Sequence, residues 1–272
     1  MSGVTDRLQH DPDIYKGTAW YYARFRPRYP DTLEKLLRDN FKLDGTGRLL
    51  DLGCGPGTVA IRMSHLFEHV IAMDPEPDML TEGRAAAERA AVYNIEWVHG
   101  GSENLAPAPG PFRLVTMGNS FHWTDRDATL DALYNLICKG GGIAVVGEGA
   151  PIPPPPPTPW RVAINEVVRK YIGERSLPWD PVTPKPEELH QFYLARSRFK
   201  DLTSYEESFE VTWTVDSMIG NLYSMSFCSR RVLGDRVDAF ERDLRAAILA
   251  VEPSGELRGE RPEFYAYMAH KR

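Results

Sequence analysis

Residues 49–57 read Leu-Leu-Asp-Leu-Gly-Cys-Gly-Pro-Gly, and this stretch decides the fold. The run Arg48 to Leu52 has the short apolar character of a buried strand. Glycines at 53, 55 and 57 end it. From Thr58 to Glu68, apolar residues at Val59, Ala60, Met63, Leu66 and Phe67 then follow a helical spacing. A glycine turn between strand and helix leaves backbone N–H groups at the positive end of the helix dipole, where a ligand can meet them. A side chain there would block close backbone approach, and glycine has none.

Working outward, short apolar runs alternate with helical segments from about residue 46 to 150. Val70 to Met73 reads as a second strand ending at Asp74, and Pro77 to Val92 as a helix with proline early. Further strands are expected at Ile95 to Val98, Phe112 to Met117 and Ile143 to Val146. A helix over about Asp127 to Ile137 is closed by a Gly140-Gly141-Gly142 turn. Parallel neighbours need crossover connections, and these are nearly always right-handed. The expectation is an α/β, Rossmann-like doubly wound sheet.

The flanks differ. Residues 1–45 form an expected N-terminal helical or lid segment, 46–150 the cofactor-binding core, and 151–272 a proline linker, substrate-cap insertions and final strands of the same sheet. Residues 151–159, Pro-Ile-Pro-Pro-Pro-Pro-Pro-Thr-Pro, read as a stiff polyproline II connector. Beyond it, Trp160 to Ile172 reads as helix, Pro178 to Pro186 as loop and Phe199 to Trp213 as strand. Asp216 to Phe227 and the amphipathic Asp235 to Val251 read as helices, and Phe264 to Ala269 as a last strand.

Composition narrows the function classes. The chain has 272 residues and a net charge of −6, without the basic footprint of a nucleic-acid binder. Cys54, Cys138 and Cys228 are odd in number and widely spaced, which argues against a disulfide framework or a zinc site. No basic-then-apolar leader or membrane-length apolar run is visible, so a cytoplasmic protein with no membrane partner and no metal is expected.

The glycines at 53, 55 and 57, with Thr58 where a dinucleotide fingerprint has glycine or alanine, exclude that fingerprint. Asp74 at the second strand's end can accept hydrogen bonds from both hydroxyls of a ribose, so a nucleoside is the expected ligand. After the fourth strand, residues 118–125 read Gly-Asn-Ser-Phe-His-Trp-Thr-Asp, a poor turn but a plausible pocket wall.

Together, the 49–57 stretch, Asp74, Gly101-Ser102-Glu103 and Gly118 to Trp123 resemble the class I S-adenosylmethionine-dependent methyltransferases. Tyr22 to Pro30 and Phe121-His122-Trp123 are similar to the small-molecule branch with the trans-aconitate methyltransferase-like enzymes. The resemblance implies a seven-stranded, mostly parallel sheet whose last strand is antiparallel, with helical cap elements. It also implies S-adenosyl-L-methionine as cofactor and S-adenosyl-L-homocysteine as product. Carried over, Asp51, Gly53, Gly55 and Gly57 would form the cofactor loop. Asp74 would take the ribose, with Pro75, Met79, Ser102 and Glu103 around the adenine. Asn119 would approach the amino-acid end, Tyr22 would cover the cofactor, and Arg26 would hold the methionine carboxylate.

The substrate side would comprise Trp20, Tyr21, Trp123 and Glu148. His122 is the candidate catalytic residue, because an ordinary imidazole pKa of about 6.5 suits it to take a proton at neutral pH. A positioning hydrogen bond is its alternative role. The activity implied is O- or N-methylation of a small organic molecule, with C-methylation open. A protein-directed methyltransferase, or a non-catalytic nucleoside-binding or scaffolding member of the fold, would leave the same marks. A nucleic-acid enzyme is disfavoured, since strand four lacks an Asn/Asp-Pro-Pro-Tyr/Phe ending. A short-chain dehydrogenase is disfavoured because Lys139 falls one place too far from Tyr134.

Overall fold

In the computed structural model, strands β1 (Arg48–Leu52), β2 (His69–Asp74), β3 (Ile95–His99), β4 (Phe112–Gly118) and β5 (Ile137–Gly149) pair in parallel. Strand β9 (Glu263–His270) runs antiparallel between β5 and β6 (Lys200–Ser208). The order is β3-β2-β1-β4-β5-β9-β6, the seven-stranded sheet that the family resemblance implies. The structure describes residues 13–105, 111–149, 156–174, 177, 185, 188–260 and 262–272. The first twelve residues, the proline run over 151–155 and most of the 178–186 loop, Trp179 included, lie outside the described residues.

The strands alternate between two apolar cores, as buried parallel strands do. Leu49, Leu114, Ala144 and Ala266 join one core with Leu33, Leu37 and Phe41 of a helix at Thr32–Phe41 and Val59 and Met63 of one at Thr58–Met63. Leu50, Val115, Val145 and Tyr267 join the other with Leu130 and Leu133 of a helix at Arg126–Leu136 and Leu194 of one at His190–Arg196. Numbered along the chain, α1 is Ala19–Phe25, α2 Thr32–Phe41, α3 Thr58–Met63, α4 Pro77–Arg89, α5 Arg126–Leu136, α6 Pro159–Ile172 and α7 His190–Arg196. They are followed by α8 (Val215–Tyr223), α9 (Arg230–Leu233) and α10 (Val237–Val251).

A third core belongs to the cap. It joins Trp160, Ile164 and Val168 of α6, Met218 and Leu222 of α8, and Phe240, Leu244 and Ile248 of α10. Trp213 and Leu257 close it from a two-stranded antiparallel ribbon, β7 (Val211–Thr214) with β8 (Glu256–Glu260). Among the described residues no helix is long and apolar enough to cross a membrane.

Three local expectations are corrected. The strand-like stretch from Phe199 to Trp213 is two strands in two sheets, parted where the Phe209 N–H donates to the Pro262 carbonyl. Val251, assigned to the apolar face of the last helix, is 46 % exposed at its end. The triple glycine is not a loop before a short strand. Only Gly140 turns left-handed, at φ +82°, and β5 already starts at Ile137. Gly141 and Gly142 lie inside it because the backbone crowds them: a Cβ would stand 2.5 Å from the Arg113 carbonyl oxygen at Gly141, and 2.3 Å from that of Ala269 at Gly142.

Gly142→Ala is therefore expected to force β5 and β9 apart. Overpacking of this kind costs about 1–3 kcal/mol. A lower urea midpoint in equilibrium unfolding checks it, and an unchanged midpoint would refute the close approach.

Candidate functional site

The site forms where strand order reverses, between β1 and β4, as crevices in open α/β sheets do. Gly53, Gly55 and Gly57 all adopt positive φ, at +69°, +53° and +78°. Each is glycine for a different reason. A Cβ on Gly53 would lie 2.4 Å from the Ser120 Cβ, and one on Gly57 2.4 Å from the Trp97 ring. At Gly55 the nearest atom, on Tyr22, would be 3.9 Å away, so the loop offers open backbone approach there.

Two buried carboxylates hold this loop. Asp51, 1 % exposed, accepts the Thr116 hydroxyl at 2.7 Å and the Ala60 N–H at 3.0 Å, in the first turn of α3. It does the work of the side chain that the N-cap Gly57 lacks. Asp74 accepts the Gly55 N–H at 2.7 Å and the Glu76 N–H at 2.9 Å. Each carboxylate oxygen has two lone pairs, so Asp74 keeps acceptor capacity for a ligand. Burial pushes Asp51 up to about 7, against the pull of its two hydrogen bonds. Burial likewise pushes Asp74 up to about 6, with its backbone donors holding it down.

Above the loop lies a cavity of about 480 Å³. Of the residues singled out in the sequence, it brings together Tyr22, Gly53, Gly55, Asp74, Pro75, Met79, Ser102, Glu103, Asn119 and Trp123. A smaller recess of about 30 Å³ adjoins it and adds Arg26, Asp51 and Glu148. The Arg26 guanidinium stands 4.9 Å from the centre of the Tyr22 ring, and its Nε is buried with no hydrogen-bond partner among the described residues. Asn119 takes a left-handed φ of 51°, which asparagine tolerates. It donates its N–H to the Val146 carbonyl at 2.9 Å and accepts the Glu148 N–H at 3.2 Å, tying the ends of β4 and β5.

Four singled-out residues line neither space. Gly57 turns to Trp97 instead. Trp20 is 48 % exposed beneath the Arg24 guanidinium, 4.5 Å from the ring centre. Tyr21 packs edge-on against Tyr223 of the cap, with 5.2 Å between centroids. His122 stacks on His190 at 6.0 Å and 13°. Burial, with the charges of Arg126 and Arg26, lowers His122 to about 4. The ring is therefore neutral at pH 7 but a weaker base than its ordinary value suggested.

Sequence reasoning missed Ile14, Tyr15 and Glu76, which line the cavity, and Tyr29, which lines the recess. Tyr15 meets Trp123 edge-on at 5.7 Å and Tyr22 at 6.3 Å. One tyrosine in a polar stretch carries no periodic signal. Tyr29 stood inside the aromatic and arginine-dense Tyr22 to Pro30 motif and could have been taken from it.

Comparison with known proteins agrees with this geometry. The methyltransferase domain family matches residues 49–141. An uncharacterized methyltransferase of Mycobacterium tuberculosis is 33% identical over 153 residues, which is 54% of this chain and 74% of that protein. An uncharacterized methyltransferase-like protein of Schizosaccharomyces pombe is 26% identical over 165 residues, 60% of each chain. A second S. pombe methyltransferase matches over 48% of its own length, so the chain spans only about half to three-fifths of these two fission-yeast relatives. The fold matches that of a Geobacter sulfurreducens SAM-dependent methyltransferase in complex with S-adenosyl-L-homocysteine. Its TM-score is 0.54 at 18% identity, over 96% of this chain and 99% of that one. The chain belongs to the methyltransferases.

The Asp51 carboxyl gives a pH test of the loop's brace. Its folded pKa, about 7, lies above the ordinary 3.8, so between these values the folded state retains a proton that the unfolded state releases. Stability then falls as pH rises through this window. Asp51→Asn removes that fall, and its urea midpoint relative to the parent is expected to improve from about pH 4 to 7. A pH-independent difference would contradict the assignment.

Proposed function

We propose that this chain methylates a small organic acceptor, with S-adenosylmethionine lying across the carboxyl ends of β1, β2 and β4. The observation that carries the reading is the pairing of an open Gly55 turn with Asp74 at the edge of one cavity. At about 480 Å³, the cavity falls within the roughly 300–1,000 Å³ of small-molecule and cofactor sites.

The residues fit the cofactor. Asp74 would accept the ribose hydroxyls, with Pro75 and Met79 beside the adenine and Ser102 and Glu103 at its edge. The buried Arg26 Nε, in the recess next to Gly53 and Gly55, would donate to the methionine carboxylate. When bound, the cofactor supplies a methyl group on a positively charged sulfur. The chain's task is then to hold donor and acceptor in line and to exclude water, and orientation of this kind is worth roughly 7–11 kcal/mol of barrier. Tyr15, Tyr22 and Trp123 form an aromatic wall that serves this exclusion. His122, neutral and next to Trp123, would face the acceptor rather than the cofactor. Its lowered basicity favours the positioning role over proton removal.

Three outcomes are expected. Asp74→Ala weakens S-adenosylhomocysteine binding by about 1.5–3 kcal/mol in calorimetry, the scale for hydrogen bonds to a charged group. In the parent protein, affinity is held above pH 6 and falls below it, by at most about tenfold per pH unit, because ribose donors favour the ionised carboxyl. A folded Asp74→Ala protein with unchanged affinity would remove the ribose assignment. His122→Ala leaves that affinity intact and lowers turnover. Turnover is read by incubation with labelled cofactor and pooled metabolite extracts, followed by mass spectrometry of the labelled product.

A further inference from the structure

On the far side of the Phe121–Trp123 turn, three buried polar atoms have no hydrogen-bond partner among the described residues: Arg126 Nε, His190 Nδ1 and Gln191 Oε1. Arg126 and His190 belong to one cluster, and Gln191 adjoins it through Tyr267, to which its side chain hydrogen-bonds and whose ring stacks on Tyr265 at 5.1 Å. The His190 ring lies 5.4 Å from Phe121, 6.0 Å from His122 and 5.9 Å from Tyr265. The Arg126 guanidinium stands 4.7 Å from the centre of the Tyr193 ring, and its charge is felt by both histidines. An unmatched buried donor or acceptor costs about 1–3 kcal/mol, more when charged. Three in one place are better explained by a ligand that completes them than by three separate losses.

The chemistry of the three atoms specifies that ligand. The partners Arg126 meets among the described residues are neutral, the Glu188 carbonyl and the Tyr193 ring. Arg196, on the same tyrosine, is instead neutralised by Asp127. Burial holds His190 at about 3 and His122 at about 4, so neither ring brings charge at neutral pH. An oxyanion matches the Arg126 N–H and can take a second hydrogen bond from an imidazole N–H. Gln191 Oε1 accepts only, and therefore calls for a hydroxyl or amine beside the anion. The cluster is also next to the cofactor cavity: Trp123 lines the cavity, and its ring is 5.0 Å from that of His122.

We propose that Arg126, His190 and Gln191 anchor the methyl acceptor by an anionic group carrying a neighbouring hydroxyl or amine. This rests on the methyltransferase reading for what is anchored, and on the three unmatched atoms for where. The anchor holds the far end of the acceptor. The atom that receives the methyl is a separate part of it, on the Trp123 side.

The test uses the full chain saturated with S-adenosylhomocysteine and labelled with ¹⁵N-arginine. It follows the Arg126 Nε–H resonance while glycolate, acetate, inorganic phosphate or neutral acetamide is added. Saturable shifts with the anions and none with acetamide are expected, with glycolate tighter than acetate. The tighter of carboxylate and phosphate names the anchor group. Arg126→Gln, read by calorimetry, weakens glycolate binding by about tenfold or more. Gln191→Ala lowers glycolate affinity to that of acetate, and neither change moves S-adenosylhomocysteine affinity. No saturable shift, an equal response to acetamide, or unchanged anion binding in Arg126→Gln would overturn the proposal. S-adenosylhomocysteine binding is measured in the same samples, so loss of the cofactor reading would show separately.

Discussion

Asp51 is the group on which the site depends. Its two oxygens reach a hydroxyl on β4 and a backbone N–H in α3, so one carboxylate joins two strands and the helix that follows the loop. Gly57 at the helix start has no side chain to serve as a cap, and the turn could not stay open if it had a bulky one. The brace therefore comes from the end of the preceding strand. It is buried, which makes its ionised form costly, and Asp74 nearby adds to that cost. The Met73 carbonyl accepts from both Gly53 and Cys54, and Asp74 accepts from Gly55. The loop is thus held from β1, β2 and β4 before any ligand arrives, and a preorganised site loses less freedom on binding.

Trp97 sets the second constraint. A Cβ on Gly57 or on Gly83 would come within 2.4 Å of its ring, at 2.4 and 2.3 Å respectively. One indole from β3 therefore wedges between the start of α3 and the middle of α4. Glycine inside a helix costs about 1 kcal/mol against alanine. Here it makes room for a ring that packs against the core. Two glycines, one in the loop and one outside it, share that single neighbour.

Helix α1 touches both the cap and the cavity. Phe25 approaches Gly220 of α8 so closely that a Cβ there would lie 2.3 Å from the ring, and Tyr21 meets Tyr223. Tyr22 and Arg26, around the helix from these, line the cavity and the recess. Tyr21 and Phe25, four apart on the helix, share the face that meets the cap, and Arg26 reaches the recess from the extended residue just past the helix end.

The first five strands, their alternation with helices and the loop-plus-Asp74 pairing were legible in the sequence, because each is written in residues close together in the chain, whereas the seven-stranded count came from the family resemblance. Leu49 and Leu50 declare opposite faces by their spacing alone, and both faces proved buried. Tertiary structure alone decided why each glycine is a glycine, since Ser120, Trp97 and the Ala269 carbonyl that crowd them come from distant strands. The same holds for His122. Its place at a strand tip could be read, but its lowered basicity follows from burial and two arginines, and its stacking partner lies at position 190. Local periodicity records which face a residue takes. It does not record which remote side chains share its pocket, and charge, hydrogen bonding and basicity are set there.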